Sequence, residues 1–489
     1  MKEKSMKKNF LISFIRTAVM ILVPLFSFPY ASRILGKEGI GQVQYVQSIA
    51  SYFQLFATFG VTSYGIREGA KLKADKKKLG QFCTELFWIN FTTTIIALVV
   101  YLSLFGLEKF ASYHGLLILY IFYIFFYGMN LDWIFNVLED YVYITFRTVI
   151  VYGISMLILF GFVKERSDIN FYAVVCIFPY IGNFIGNLRN ASKKLEMFQR
   201  TKIQWKVHIK PMLLVFGIVI SSSIYSLLDT TMLGLMKSDA EVGLYTAASK
   251  LCRLVVQLIT AVCAVFLPRL SYYAGIKEVK KFKALASASA GVIVSIAVPC
   301  SLGLIILAPQ AITLFSGSEF IEAVPATRIL AVNLFFSAVD GYLGWQILVP
   351  NEKDKVLLGA TIVGAVTDFI LNLIFIPRAG INGAAIATLV AECMVFLICF
   401  IYSIKYMEIQ KFTVHFGKVF LASIPVFGIG AVVKLFTDSV LISSILVVGF
   451  TGIVYVLILW LLRDEFLLQL INDGKTMIVK IKRGDRNAG

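Results

Sequence analysis

The stretch Ser27–Gln42, SFPYASRILGKEGIGQ, decides the fold, because it closes the first of many long apolar runs. That run begins near residue 10 and is long enough to cross about 30 Å of hydrocarbon, which takes about 20 helical residues. It contains Arg16 and, near its far end, Arg33. The sequence predicts a membrane helix here, followed by a tight turn into a second helix that is made by Gly36, Gly39 and Gly41.

Similar apolar runs recur along the whole chain. Hydrophobic residues make up 58% of the 489 residues, charged residues make up 15%, and the mean hydropathy is +0.81, whereas soluble domains carry about 25% charged residues. We therefore predict an all-α polytopic membrane protein with about fourteen transmembrane helices. They are expected at residues 10–35, 42–66, 82–106, 115–138, 141–163, 169–188, 211–235, 242–267, 284–307, 322–349, 356–376, 381–402, 417–434 and 441–462.

The basic residues fall mainly on one side of this topology. With a cytoplasmic N-terminus, and with Lys418 and Lys434 at the ends of their span counted with the adjoining segments, the inner segments hold 33 of the 46 Lys and Arg residues, the outer segments hold seven, and six lie within the spans. This bias follows the positive-inside rule and predicts that both termini are cytoplasmic. The net charge of +17 then needs no nucleic acid as a partner, because the basic loops face anionic membrane lipids.

The sequence carries no catalytic or metal-binding motif that we recognise. Its seven cysteines lie in apolar runs without a CxxC spacing, and its three histidines lie at predicted helix edges or in loops, so we expect neither disulfides nor a metal site. It also lacks the phosphate-binding loop of ATPases and the motifs of hydrolases. We therefore expect a secondary transporter rather than an enzyme, with no cofactor besides a coupled proton or sodium ion.

Three pairs of similar segments indicate an internal repeat. DWIFNVLEDYVYI, from Asp132, lies 212 residues before GWQILVPNEKDKV, from Gly344, and the segments that begin at Ile169 and Ile381 have the same offset. LGKEGIGQVQYVQSIA and LMKSDAEVGLYTAASK are about 200 residues apart. An even number of spans in each repeat predicts two six-helix halves of equal orientation around a central cavity. The expected divisions are an N-terminal half, a C-terminal half, and two extra helices with a cytoplasmic tail, at residues 1–205, 206–410 and 411–489.

Six basic residues lie inside the predicted spans and are candidates for substrate binding. A charge at the centre of a bilayer costs about 2.5 to 3.5 kcal/mol, so such residues usually face a cavity. Lys250 and Arg253 lie near the midplane and share one helix face, and both side-chain types bind phosphate groups. The other four lie nearer a surface, where snorkelling and cavity lining both remain open: Arg16, Arg33, Arg147 and Arg328.

Five acidic residues also lie within or at the ends of the spans. Asp368 and Glu392 fall near the middle of the membrane and are candidates for coupling transport to an ion gradient, although a simple ion pair explains them equally well. Asp229 is a third candidate for ion coupling, near a helix end. Asp132 and Asp340 lie close to helix ends and are expected to pair with cations or to cap helices.

Taken in order, several motifs resemble the Wzx-type oligosaccharide flippases of the multidrug/oligosaccharidyl-lipid/polysaccharide exporter superfamily. PYASRILGKEGIGQ is similar to the first-helix motif of that family, and LLDTTMLG, EVGLYTAASKL, ATRILAVNLFF and NLIFIPRAGINGAAIATLVAE follow it. The resemblance covers nearly the whole chain. By helix position it implies cavity cations at Arg16, Lys250 and Arg253. The depth of Arg33 along the first span, in contrast, places it at the outer interface.

The resemblance implies a flippase that moves undecaprenyl-diphosphate-linked oligosaccharide from the inner to the outer leaflet of the bacterial plasma membrane. It implies alternating access coupled to protons or sodium, in capsule, O-antigen or exopolysaccharide assembly, beside a polysaccharide polymerase and export proteins. Two other transporter functions stay open. A lipid II flippase is expected to have a denser set of cavity arginines, and a drug or cation exporter an acidic cavity. A membrane glycan polymerase or ligase is the enzymatic alternative.

Overall fold

The computed structural model describes residues 3–195, 197–198, 204–263, 265–436 and 439–464. Within these ranges the chain is helical and contains no β-strand, as predicted. Eleven of the described helical segments are long and apolar enough to cross a membrane, and the count of fourteen stays a prediction. The α-helices are α1 Glu3–Thr58, α2 Val61–Leu72, α3 Lys76–Leu102, α4 His114–Gly128, α5 Asp132–Val137, α6 Tyr141–Phe162, α7 Ile169–Lys194, α8 Trp205–Met236, α9 Asp239–Cys263, α10 Leu267–Gly275, α11 Val279–Ser316, α12 Val324–Tyr342, α13 Asp354–Ser403, α14 Ile409–Ser423, α15 Val426–Phe436 and α16 Val440–Leu461.

Two of the longest helices are interrupted by a glycine. Gly36 in α1 has a φ of 69°, and Gly380 in α13 has a φ of 52°. Such positive φ angles favour glycine, because a Cβ atom would crowd the backbone. The two breaks lie where the first and second predicted spans meet, and where the eleventh and twelfth meet.

The predicted three-glycine turn is wrong for Gly39 and Gly41, since only Gly36 leaves the helical region. Gly41 instead serves close packing between α1 and α9. A Cβ atom at Gly41 would lie 1.7 Å from the carbonyl oxygen of Asp239, and one at Gly243 would lie 1.9 Å from that of Lys37. Both distances are far shorter than van der Waals contact, so the two helices approach closely only because glycine occupies both positions.

The second predicted span ends earlier than expected. α1 ends at Thr58 rather than near residue 66, because Phe59 and Gly60 follow with φ angles of 41° and 73°. The remaining residues form the separate helix α2, in which Gly65 packs against the indole of Trp133 on α5. The fourth predicted span is likewise divided, into α4 and α5.

The chain forms two compact units. Unit 1 comprises Met1–Thr246 and Asn372–Ile381, and unit 2 comprises Ala247–Leu371 and Asn382–Gly489. In unit 1, α1 packs against α3, α4, α6 and α8, while α2 packs against α5. In unit 2, α11 packs against α12, α14 and α16. The expected divisions at residues 205 and 410 and the two six-helix halves stay predictions, and the expected tail beyond residue 464 lies outside the described residues.

Each unit contains a buried histidine that contacts a carboxylate. In unit 1, His208 Nε2 on α8 lies 2.7 Å from Glu85 Oε2 on α3. In unit 2, His415 Nδ1 on α14 lies 2.8 Å from Asp464 Oδ2, while its Nε2 donates to the carbonyl of Gly291 on α11 at 3.1 Å. The first contact links the N-terminal half of α8 to α3, and the second histidine links that of α14 to α11. The two histidines are 207 residues apart, close to the offset of the predicted repeat.

Candidate functional site

Asp132 lies at the centre of a charged cluster in unit 1. It begins α5, and its backbone N–H donates to the side chain of Asn130 at 2.8 Å. Arg147 Nη1 on α6 donates to Asp132 Oδ1 at 2.7 Å, and Asn187 Nδ2 on α7 donates to the same oxygen at 2.6 Å. Arg147 also donates to the Asn187 side chain. Three helices therefore converge on one carboxylate.

Arg16 on α1 is the second guanidinium at this carboxylate. Its Nη2 lies 3.8 Å from Asp132 Oδ2, and its side chain is 24% exposed, whereas that of Arg147 is 7% exposed. One carboxylate thus faces two cations and leaves a positive charge in excess. The Nε atoms of both arginines are buried and have no hydrogen-bond partner among the described residues. Excess positive charge and unused donors favour an anionic ligand.

Local sequence explains how Arg147 reaches this position. Asp140 precedes α6 and accepts a hydrogen bond from the backbone N–H of Tyr143, so that the helix begins just before the arginine. Gly186 on α7 leaves room for the side chain, since a Cβ atom there would lie 3.3 Å from Arg147 Cδ. The Arg147 guanidinium also lies 5.9 Å from the centre of the Tyr143 ring, a distance at which a cation and an aromatic face attract.

Asp229 forms a second polar cluster in unit 1. Its carboxylate is 4% exposed and accepts hydrogen bonds from the hydroxyl of Tyr245 on α9 and from Asn372 Nδ2 on α13, the latter at 2.7 Å. Asn372 is fully buried, and its Oδ1 has no hydrogen-bond partner among the described residues. The predicted ion-coupling candidate is therefore a buried carboxylate that accepts hydrogen bonds from at least two neutral groups.

The other two candidates for ion coupling belong to unit 2. Glu392 on α13 is half-buried, and Asp340, the nearby carboxyl group on α12, is buried. Asp368 is fully buried. Across the described residues, no group of three or more His, Cys, Asp or Glu side chains is arranged to hold a metal ion.

The remaining predicted cations are dispersed. Lys250 and Arg253 lie on α9 in unit 2, the first half-buried and the second exposed. Arg33 Nη1 donates to the carbonyl of Pro29 at 2.7 Å. Arg328 Nε donates to the carbonyl of Ile305 at 3.2 Å, and both arginines are exposed. Of the six predicted substrate-binding residues, the contacts described above bring Arg16 and Arg147 together, and a binding role for each of the six stays a prediction.

Sequence reasoning missed the neutral members of both clusters. Asn187, Tyr245 and Asn372 hold the carboxylates in place, but an uncharged polar residue in an apolar span is less conspicuous in a sequence than a charged one. One signal was available, since Asn187 and Asn372 both lie in otherwise apolar spans. A polar amide in such a span usually has a partner inside the protein.

The sequence matches a known protein family and is similar to that of a transporter. Residues 6–274 match the family described as polysaccharide biosynthesis protein. Over 407 residues the chain is 25% identical to the putative O-antigen transporter of Shigella dysenteriae, a match that covers 80% of this chain and 98% of that one.

Solved structures show the same fold. The lipid II flippase MurJ in its inward closed conformation matches with a TM-score of 0.73 and 17% identity, over 94% of this chain and 100% of that one. An inward-facing multidrug resistance MATE family transporter of the MOP superfamily matches with a TM-score of 0.59 and 15% identity, over 80% and 97%. The predicted fold class is confirmed, and so is the expectation of a transporter rather than an enzyme.

Proposed function

Because the chain belongs to the polysaccharide biosynthesis protein family, we propose that it is a flippase for a lipid-linked oligosaccharide. The substrate we propose is an undecaprenyl-diphosphate-linked repeat unit of a surface polysaccharide. It moves from the inner to the outer leaflet of the bacterial plasma membrane by alternating access. The similarity to a putative O-antigen transporter supports this substrate class.

One observation carries the proposal, namely the pair of guanidinium groups at Asp132. A diphosphate bears negative charge on several oxygens, and arginine binds such oxygens through parallel N–H donors. Arg16 and Arg147 offer buried Nε donors that no described residue accepts from, and a single carboxylate leaves their charge only partly balanced. A phosphate group can therefore approach both arginines without displacing every existing contact.

The physical problem of the reaction fits such a site. Charged and hydroxylated groups cannot cross hydrocarbon unaided, because they would lose their hydrogen bonds to water. Buried donors inside the protein replace those bonds, while an undecaprenyl tail needs no replacement and stays in the bilayer. The site thus has to supply hydrogen bonds only to the headgroup.

We extend the proposal to the topology and to the second unit. Both termini lie in the cytoplasm, as the distribution of basic residues indicates, and the chain is built from two six-helix halves followed by two further helices. Lys250 and Arg253 form a second pair of candidate cations on one face of α9. Arg33 and Arg328 are exposed and remain weaker candidates for contact with the headgroup. A polysaccharide polymerase and export proteins are the expected partners.

Ion coupling is part of the same proposal. Asp229 is the best-supported candidate, because its carboxylate is buried and is held by two neutral donors. Glu392 and the fully buried Asp368 are the further candidates in unit 2. Either a proton or a sodium ion can neutralise such a carboxylate and so favour one conformation over another.

Deletion of the gene in its own host tests the function. We expect surface polysaccharide to disappear and the lipid-linked repeat unit to accumulate on the cytoplasmic face of the membrane. Normal surface polysaccharide without accumulation of the lipid-linked repeat unit would contradict the proposal. Accumulation of lipid II instead would indicate a lipid II flippase, and altered sensitivity to cationic drugs alone would indicate a drug exporter. Bond formation by the purified protein would indicate a polymerase or ligase.

A further inference from the structure

We propose that a neutral pocket in unit 1 binds the sugar residues of the transported lipid. This inference rests on the function proposed above and identifies a binding site for the glycan part of the lipid. The pocket has a volume of about 570 Å³ and lies between the C-terminal part of α1, the start of α2, the end of α4 and the middle of α8. None of the ion-coupling or cationic candidates lines it.

The chemistry of the pocket wall favours a neutral ligand rich in hydroxyl groups. Eight of its eleven lining residues carry a hydroxyl or an amide, and none of these described residues is charged. A bound cation would need carboxylates, and a bound phosphate would need basic side chains. A sugar needs many hydrogen-bond donors and acceptors without net charge. The pocket offers them through Ser51, Gln54, Thr58, Tyr127, Ser223 and Ser226.

Several of these groups are available for a ligand. Gln54 is only 7% exposed, and its amide forms no hydrogen bond within the described part of the chain. The Tyr127 hydroxyl likewise has no hydrogen-bond partner there. Ser51 and Thr58, in contrast, already donate to backbone carbonyls of α1, at 2.7 Å to Gln47 and at 3.2 Å to Gln54. Gln54 lines the pocket, so its amide can exchange water for the hydroxyl groups of a sugar and is the side chain with the most unused donors and acceptors there.

An aromatic surface borders the pocket. The ring of Tyr127 lies 5.5 Å from that of Tyr123 and 4.8 Å from that of Tyr180. Tyrosine combines a flat apolar face with a polar hydroxyl, and a sugar ring likewise has apolar C–H faces and polar edges. Tyr127 lines the pocket, and its ring, held by Tyr123 and Tyr180, can pack against the apolar C–H face of a sugar.

The pocket also lies next to the proposed diphosphate site. Tyr127 lines the pocket and lies in the last turn of α4, and Asp132 begins α5 five residues later. The carboxylate of Asp132 pairs with Arg147 and faces Arg16. In a lipid-linked glycan the first sugar is bonded directly to the diphosphate, so its binding site must adjoin the phosphate site. The arginine pair and the pocket fit consecutive parts of one molecule.

The test compares two lipids that differ only in the sugar. The full-length protein in lipid nanodiscs is titrated with undecaprenyl diphosphate and with undecaprenyl-diphosphate-linked N-acetylglucosamine. We expect the wild type to bind the sugar-bearing lipid about 10-fold more tightly. Gln54→Leu should remove most of that difference and leave the Kd of undecaprenyl diphosphate unchanged. Arg147→Ala should weaken the binding of both lipids to a similar extent.

A second variant and a control keep the test decisive. Tyr127→Phe removes one hydroxyl, preserves the ring packing, and should lower the preference for the sugar-bearing lipid about 3-fold. Ser103→Ala changes an exposed serine outside the pocket and should have no effect. Equal binding of the two lipids by the wild type would overturn the sugar pocket, as would equal weakening of both lipids by Gln54→Leu. If the wild type binds neither lipid, the proposed function itself fails.

Discussion

Arg147 and Asp132 form a buried ion pair in which Nη1 lies 2.7 Å from Oδ1, and the same carboxylate also faces Arg16. An ion pair of one arginine and one aspartate has no net charge and therefore does not attract an anion. The second arginine changes this balance, because one carboxylate cannot neutralise two guanidinium groups. Asp132 therefore holds both arginines in position and leaves charge for a ligand.

The first prediction concerns the guanidinium of Arg147. Arg147→Ala should lower the rate of lipid flipping about 10- to 100-fold, since a charge-assisted hydrogen bond contributes about 1.5 to 3 kcal/mol. Arg147→Lys should retain part of the activity, because it keeps the charge and loses the planar fork. Arg67→Ala removes an exposed arginine and is the matched control. Full activity of Arg147→Ala at normal protein abundance would remove this residue from the site.

The second prediction concerns the close contact between α1 and α9. Gly41→Ala would place a Cβ atom 1.7 Å from the carbonyl oxygen of Asp239, so the helices must move apart. We expect a loss of about 1 to 3 kcal/mol, measured as a lower thermal unfolding midpoint of the purified protein. Gly153→Ala is the control on α6, where a Cβ atom meets nothing within 4 Å. It should be neutral or stabilising, and an equal loss in both variants would show that packing at Gly41 is not the cause.

The third prediction concerns the buried histidine of unit 2. His415→Gln removes the ring nitrogen that contacts the carboxylate of Asp464, and losing a hydrogen bond to a buried charged group costs about 1.5 to 3 kcal/mol. The unfolding midpoint should fall accordingly. The double variant with Asp464→Asn should lose less than the sum of the two single variants, because the residues interact directly. His114→Gln changes an exposed histidine and should have little effect.

The fourth prediction concerns Asp229 and the ion gradient. Asp229→Asn keeps the shape of the side chain and removes its ability to bind a proton or sodium ion through charge. If this carboxylate couples transport, flipping by the variant in proteoliposomes should no longer respond to an imposed sodium or proton gradient. Asp168→Asn is the control, since this aspartate lies between α6 and α7. A full response to the gradient in Asp229→Asn would exclude Asp229 from coupling.

Local chemistry made most of the fold predictable. The length of the apolar runs predicted membrane helices, and the glycine after an apolar run located the break at Gly36, because both signals depend only on neighbouring residues. The ordered motifs indicated the Wzx-type flippases, and the match to the polysaccharide biosynthesis protein family confirms that resemblance. Gly41 was misinterpreted because its contact, Asp239, lies almost 200 residues away.

The site was predictable only in part, for the same reason. Any arginine in an apolar span is conspicuous, so Arg16 and Arg147 were found. Their shared carboxylate requires knowledge of which helices are neighbours, and no local pattern gives it. Aligned residues of the repeated segments also differ in how exposed they are. Trp133 is 1% exposed and Trp345 is 61% exposed, although the repeated segments align the two residues.

Flipping by purified protein tests the central claim most directly. The lipid-linked glycan that accumulates in the deletion strain is incorporated into proteoliposomes, and an excess of membrane-impermeant lectin binds and retains each glycan that reaches the outer leaflet. Liposomes without protein should expose about half of the glycan, and liposomes with the wild type should expose nearly all of it over time. Arg147→Ala should approach that level far more slowly. Exposure of only half of the glycan with the wild type would contradict the account.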